Sequence, residues 1–247
     1  MPARSLAAGV LALLLTQAAA ASEPAVPDGY AVHQSLALDQ AANGMTGALQ
    51  ILEDSRIGPA LRAEMWRQTT DTDLILDEKN PLRATFAKAP PRPAHLRLVD
   101  GSGKVVADQP FDVPLADIDR QQLHDGTPTF LVSADHSLGT GADAGLETRF
   151  MAVDHGELVP EDLPGQPFLR TSLKNAWKIV DDTTPGSKAI QVVACHPNLA
   201  KSEEAATGGT VVDLTTYRYA QGAWHDTTVS LVGYWESSED WPDGQFP

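Results

Sequence analysis

The chain has 247 residues, 42% of them hydrophobic, with 33 acidic and 18 basic side chains, a formal charge of −15 and one cysteine. That composition excludes a disordered tail, a membrane-embedded bundle, a collagen-like fibre and a disulfide-stapled miniprotein, and leaves a globular protein long enough to bury a core. It also excludes nucleic acid as a partner, because holding a phosphate backbone requires clustered Lys and Arg.

Met1 to Arg4 carry one positive charge, Ser5 to Thr16 are rich in Leu and Ala, and Ala18 to Ala21 supply small residues. This order predicts a signal peptide over 1–21, cut after Ala20 or Ala21. The apolar run stops at Gln17, short of the roughly 20 residues an anchor needs. The sole cysteine, Cys195, is far from the cut, so no lipid can be attached there. Cleavage removes Arg4 and no acid, leaving 17 basic and 33 acidic residues and a charge of −16. The expected product is periplasmic or secreted, without membrane insertion after cleavage. A lone cysteine gives it no intrachain disulfide.

Ser22 to Asp28 read as a lead-in. From Leu36 to Gln68 the signals are helical but interrupted: Leu49, Ile51 and Leu52 lie together, then Ile57, Leu61 and Met65 repeat every four residues behind Gly58 and Pro59, predicting one or two short helices. Asp73 to Asp77 is an alternative first strand. Pro90, Pro91 and Pro93 mark a boundary between an N-terminal segment, 22–93, and a β-rich domain, 94–247. Leu96 and Leu98, a turn at Asp100 to Gly103, and Val105 and Val106 form a hairpin. Pro114 to Leu123 read as one or two helical turns, and Phe130 to Val132 as a buried strand. Three more hairpins follow: Phe150–Val153 with Leu158–Val159, Leu173–Val180 with Ile190–Ala194, and Thr210–Tyr219 with Trp224–Tyr234. The expected fold is mainly β (α+β), with antiparallel hairpins forming a sandwich or a propeller-like assembly and short helices in the N-terminal third. The turns around Asp154-His155-Gly156 and Ala220-Gln221-Gly222 have a similar shape.

The densest loop, Asp135 to Gly145, follows a strand and holds Asp135, His136, Ser137 and Asp143 among three glycines. No Lys follows those glycines, so they do not make a phosphate cradle. Asp135-His136-Ser137 is not a triad, since neighbours on a strand point to opposite faces. Asp135 and Asp143 make a calcium site conceivable, but no acid lies between them and no EF-hand Glu follows. No two of the seven histidines are three or four apart, which removes the helical zinc signature. Cys195-His196 would need a base from elsewhere to act as a nucleophile, and G-x-S-x-G, S-x-x-K and H-E-x-x-H are all absent. Trp235 and Trp241, among acidic residues near the C-terminus, either stack on a sugar or a partner or cover the last hairpin.

The motif Asp135-x-Ser137-x-Gly139-x-Gly141 after a strand, the stretch Leu173 to Trp177, Cys195 at a strand end and the aromatic final hairpin resemble a group of functionally uncharacterised exported bacterial proteins over residues 130–247. That resemblance implies export and a β-rich fold and transfers no catalytic residue. The expected function is an acidic, non-enzymatic binding protein, of an inhibitor or immunity type, that neutralises a cationic envelope-active enzyme or toxin without a cofactor. One alternative is a metal-assisted hydrolase with His136 or His155 as base and Asp135 or Asp143 as ligand or orienter. Another is carbohydrate binding through Trp235 and Trp241.

Overall fold

Phe130, Leu131 and Val132 are consecutive and all buried, which a strand achieves only when both faces of its sheet are covered. The computed structural model describes residues 25–68, 88–124, 126–135, 145–198, 209–237 and 239–242, and its strands form three antiparallel sheets built from consecutive segments. Sheet 1 contains β1 (Tyr30–Leu38), β2 (Gly47–Asp54), β3 (His95–Asp100) and β4 (Val105–Pro110). Sheet 2 contains β5 (Ala116–His124), β6 (Thr127–Asp135), β7 (Leu146–Asp154) and β8 (Glu157–Pro160), with β9 (Leu169–Thr171) also pairing with β7. Sheet 3 contains β10 (Asn175–Asp181), β11 (Lys188–Pro197), β12 (Thr210–Ala220) and β13 (Ala223–Val232).

The sheets stack as sandwich layers with sheet 2 in the middle. Phe130, Val132, Met151 and Val153 turn one way, onto Leu49, Ile51, Leu96 and Leu98 of sheet 1. Leu131 and Phe150 turn the other way, onto Ile190, Tyr217 and Trp224 of sheet 3. The side-chain period of two sorts β6 and β7 between two cores. Val193, Cys195, Val212 and Leu214, on the far face of sheet 3, are covered by Trp235.

The hairpins at 96–106, 150–159 and 210–234 are present, as β3–β4, β7–β8 and β12–β13. β10 begins at Asn175, so Leu173 and Lys174 precede the third hairpin's strand. The two similar turns share a backbone: His155 (φ 49°) with Gly156 (φ 85°), and Gln221 (φ 54°) with Gly222 (φ 80°). Positive φ at both central positions suits a two-residue hairpin loop to the twist of its strands.

Two helical expectations are corrected. Leu49, Ile51 and Leu52 belong to β2, whose inner residues are buried on both faces. An apolar run of that kind has no period that separates strand from helix. Pro114 to Leu123 is not helical; it contains most of β5, in which Ala116 and Ile118 alternate into the core. Leu61 and Met65 of the four-residue repeat lie on a helix, α2 (Pro59–Gln68), opened by proline at its first position and packed on Leu115, while Ile57 precedes it and packs on the same cluster. A short helix, α1 (Gln40–Asn43), is capped by Asp39, whose carboxylate accepts the Ala41 N–H at 2.7 Å. Sheet 1 crosses the proline-rich stretch, with β2 pairing to β3. Asp73 to Asp77 lies outside the described residues. No helix among the described residues is long and apolar enough to cross a membrane.

Candidate functional site

At one end of the interface between sheets 2 and 3 a cleft of about 590 Å³ opens among His124, Glu161, Asp162, Tyr219 and Trp224. Three local features build it. A register shift between Gln122 and His124 ends β5 and re-aims its last side chain. The Gln221-Gly222 turn sets Tyr219 directly opposite Trp224, with ring centroids 5.5 Å apart and planes at 73°. The segment after β8 brings in Glu161, whose backbone N–H donates to the Phe150 carbonyl at 2.8 Å.

The His124 ring lies flat on Tyr219, centroids 3.6 Å apart and planes at 8°, and edge-on to Trp224. Glu161 accepts from the Thr129 hydroxyl at 3.1 Å, and its other contact, to His124 Nε2, is a long 3.4 Å. Buried Trp224 Nε1 has no acceptor among the described residues. Asp162 is exposed at the rim. Carboxylates beside aromatic faces attract cations through both charge and the ring quadrupole.

A second cavity, of about 530 Å³, lies at one end of the interface between sheets 1 and 2, lined by Phe111, Asp112, Ala134, Glu147, Arg149 and Arg170. Its Arg170 donates to Glu147 at 2.7 Å, so opposite charges already cancel within it. Gly145 stands at the end of the 135–145 loop with φ 136°, and a Cβ there would overlap the Thr171 carbonyl oxygen.

Asp135 is buried at the end of β6, its backbone N–H bound to the Leu115 carbonyl at 3.0 Å. His136, Ser137 and Asp143 lie outside the described residues. Trp235 is buried, and its indole N–H donates to the Asp240 carbonyl at 3.1 Å. Half-buried Trp241 meets it edge-on at 6.3 Å, and the Lys178 ammonium sits 4.4 Å from the Trp241 ring centre. These two indoles therefore pack over sheet 3. Cys195 and His196 diverge: the thiol enters the cluster under Trp235, while His196 Nε2 lies 2.9 Å from Asp213. Hydrogen bonding to Asp213 and to the Pro197 carbonyl raises the His196 pKa above the usual imidazole value. His155 points to solvent beside Asp154. Among the described residues no group of three or more His, Cys, Asp or Glu is placed to hold a metal ion.

No family model, curated protein or solved structure matches the chain. The cleft is the feature that sequence reasoning missed. Its one legible signal is the aromatic pair flanking the Gln221-Gly222 turn, since residues either side of a two-residue loop must face each other. Glu161 and His124 join that pair only through the stacking of sheet 2 on sheet 3.

Proposed function

We propose that the protein is an exported, acidic, non-enzymatic binding protein that captures a cationic protein, in the manner of an inhibitor or immunity protein against an envelope-active enzyme or toxin. In this reading the cleft receives a Lys or Arg side chain of the partner. The observation that carries it is the gathering of the Glu161 and Asp162 carboxylates with the Tyr219 and Trp224 rings at one opening. A cation entering there gains from carboxylate and ring together. The charge of −16 left once the leader is removed, 17 basic against 33 acidic residues, speeds its approach from a distance, and the leader-like first 21 residues support export.

The test is calorimetric titration with an oligolysine peptide, with an oligoglutamate peptide as control. Oligolysine binds at low salt, binding weakens as salt rises, and the double variant Glu161→Gln/Asp162→Asn loses about tenfold or more in affinity while keeping its circular dichroism spectrum. No binding at low salt, or unchanged affinity in the double variant, contradicts the proposal.

A further inference from the structure

A sheet edge exposes unpaired N–H and C=O groups, and proteins ordinarily blunt such edges with bulges, proline, lysine or short strands. Four of the edge strands here are protected in these ways or by packing. β1 carries a bulge between Val32 and Gln34. β4 is short and ends at Pro110. β5 is bulged and packs against β1, β2 and β11. β8 has four residues and ends at Pro160. At the near end of sheet 3, β10 packs against β9.

β13 has none of these devices. It runs ten residues in unbroken register with β12, contains no proline and no lysine, and carries a single acid, Asp226. Among the described residues it pairs with no strand on its outer side, and Val232 near its end is 80% exposed.

We propose that β13 pairs antiparallel with β13 of a second copy of the chain, about a two-fold axis at Thr228, joining two copies of sheet 3 into one continuous sheet. The geometry of the edge selects this register. Outward N–H and C=O groups recur at every second residue, so two identical strands match only when paired residues share parity, which centres the axis on a residue. Centring it on Asp226 sets two carboxylates face to face. Centring it on Thr228 overlaps Trp224 to Val232 completely, places Asp226 opposite Ser230 and pairs exposed Val232 with the backbone of Trp224 of the other copy, whose ring stays packed in its own core. The two Asp226 residues are then four positions apart, about 14 Å at ~3.4 Å per residue, beyond the screening length of about 10 Å at 0.1 M salt.

The low charge of this strand matters because the whole chain is strongly anionic, so two copies repel on average. Self-association therefore strengthens as salt screens that repulsion, the opposite of the salt response of the cation-binding cleft.

The experiment is sedimentation equilibrium of the full chain at ~50 and ~500 mM salt, paired with cross-linking of Thr228→Cys and Asp226→Cys under mild oxidation. Residues directly opposed across the axis have Cα atoms about 4.5–5.5 Å apart, within disulfide reach. Thr228→Cys is expected to give a disulfide-linked dimer and Asp226→Cys to form no cross-link. The wild-type dimer fraction is expected to rise with salt. A monomer at both salt concentrations, equal cross-linking at both positions, or protection of β13 only after a foreign peptide is added would each overturn the proposal. Because the paired strand includes Trp224 at the cleft, oligolysine titration is run at low salt, where the dimer fraction is expected to be smallest, so that each proposal is read on its own.

Discussion

Glu53 is buried near the end of β2, and the single Nε–H of Arg62 on α2 is shared between its two oxygens, at 3.0 and 3.1 Å, while its Oε1 also accepts the Ala116 N–H. The same guanidinium reaches the Ala116 carbonyl and Asp117, so one side chain ties α2 to sheets 1 and 2. Removing it strands a buried carboxylate, and Arg62→Met is expected to cost about 3–5 kcal/mol in urea unfolding, part of it recovered by adding Glu53→Gln. Asp54, next in sequence, is also buried, and the Arg56 guanidinium, with the Arg92 and Arg56 N–H groups, holds its carboxyl well below the usual carboxylate range. A carboxyl with a lowered folded pKa contributes stability above its unfolded value of about 3.9 and loses it as pH falls from there toward the folded value. Stability of Asp54→Asn is therefore expected to fall less steeply than wild type as pH drops below about 4, measured by urea unfolding across that window. The contacts of Arg62 to sheet 2 were not legible in the sequence, since Arg62 and Ala116 are 54 residues apart and composition says only that acids outnumber bases.

Elements were legible where a local rule suffices. The Asp100–Gly103 turn flanked by alternating apolar residues located β3 and β4, and the four-residue repeat behind Pro59 located α2. β2 and β5 look helical in the sequence because burial on both faces, or a polar outer face with few apolar positions, hides the period of two. The Gln221-Gly222 turn was legible as a turn, though its consequence for the cleft was not. Gln221 sits at φ 54°, a conformation that Asn tolerates and a β-branched residue strongly resists. Gln221→Asn is expected to leave the melting temperature unchanged or slightly higher, and Gln221→Val to destabilise by about 1–2 kcal/mol. If strain there shifts the Tyr219–Trp224 pair, tryptophan emission in Gln221→Val changes as well. A Val variant as stable as wild type would mean that the turn adopts another backbone in solution.

At the scale of the molecule, three successive antiparallel sheets stack so that the middle one, sheet 2, supplies a face to each of two cores. The abundance of hairpins announced a mainly β fold, but which sheet lies between the others is set by contacts between Phe130 or Leu131 and residues far along the chain. The same stacking makes the candidate site, since His124 and Glu161 come from sheet 2 and its following segment, and Tyr219 and Trp224 from sheet 3. Such a site belongs to the assembled layers and to no single motif. Asp135 and Gly145, the described ends of the glycine-rich loop, do not line it. The most direct measurement is an amide and indole chemical-shift titration of the protein with oligolysine at low salt. The proposed function predicts shifts concentrated at the Trp224 indole, Tyr219 and residues 161–165; shifts confined to other acidic segments, with these signals unmoved, would contradict it.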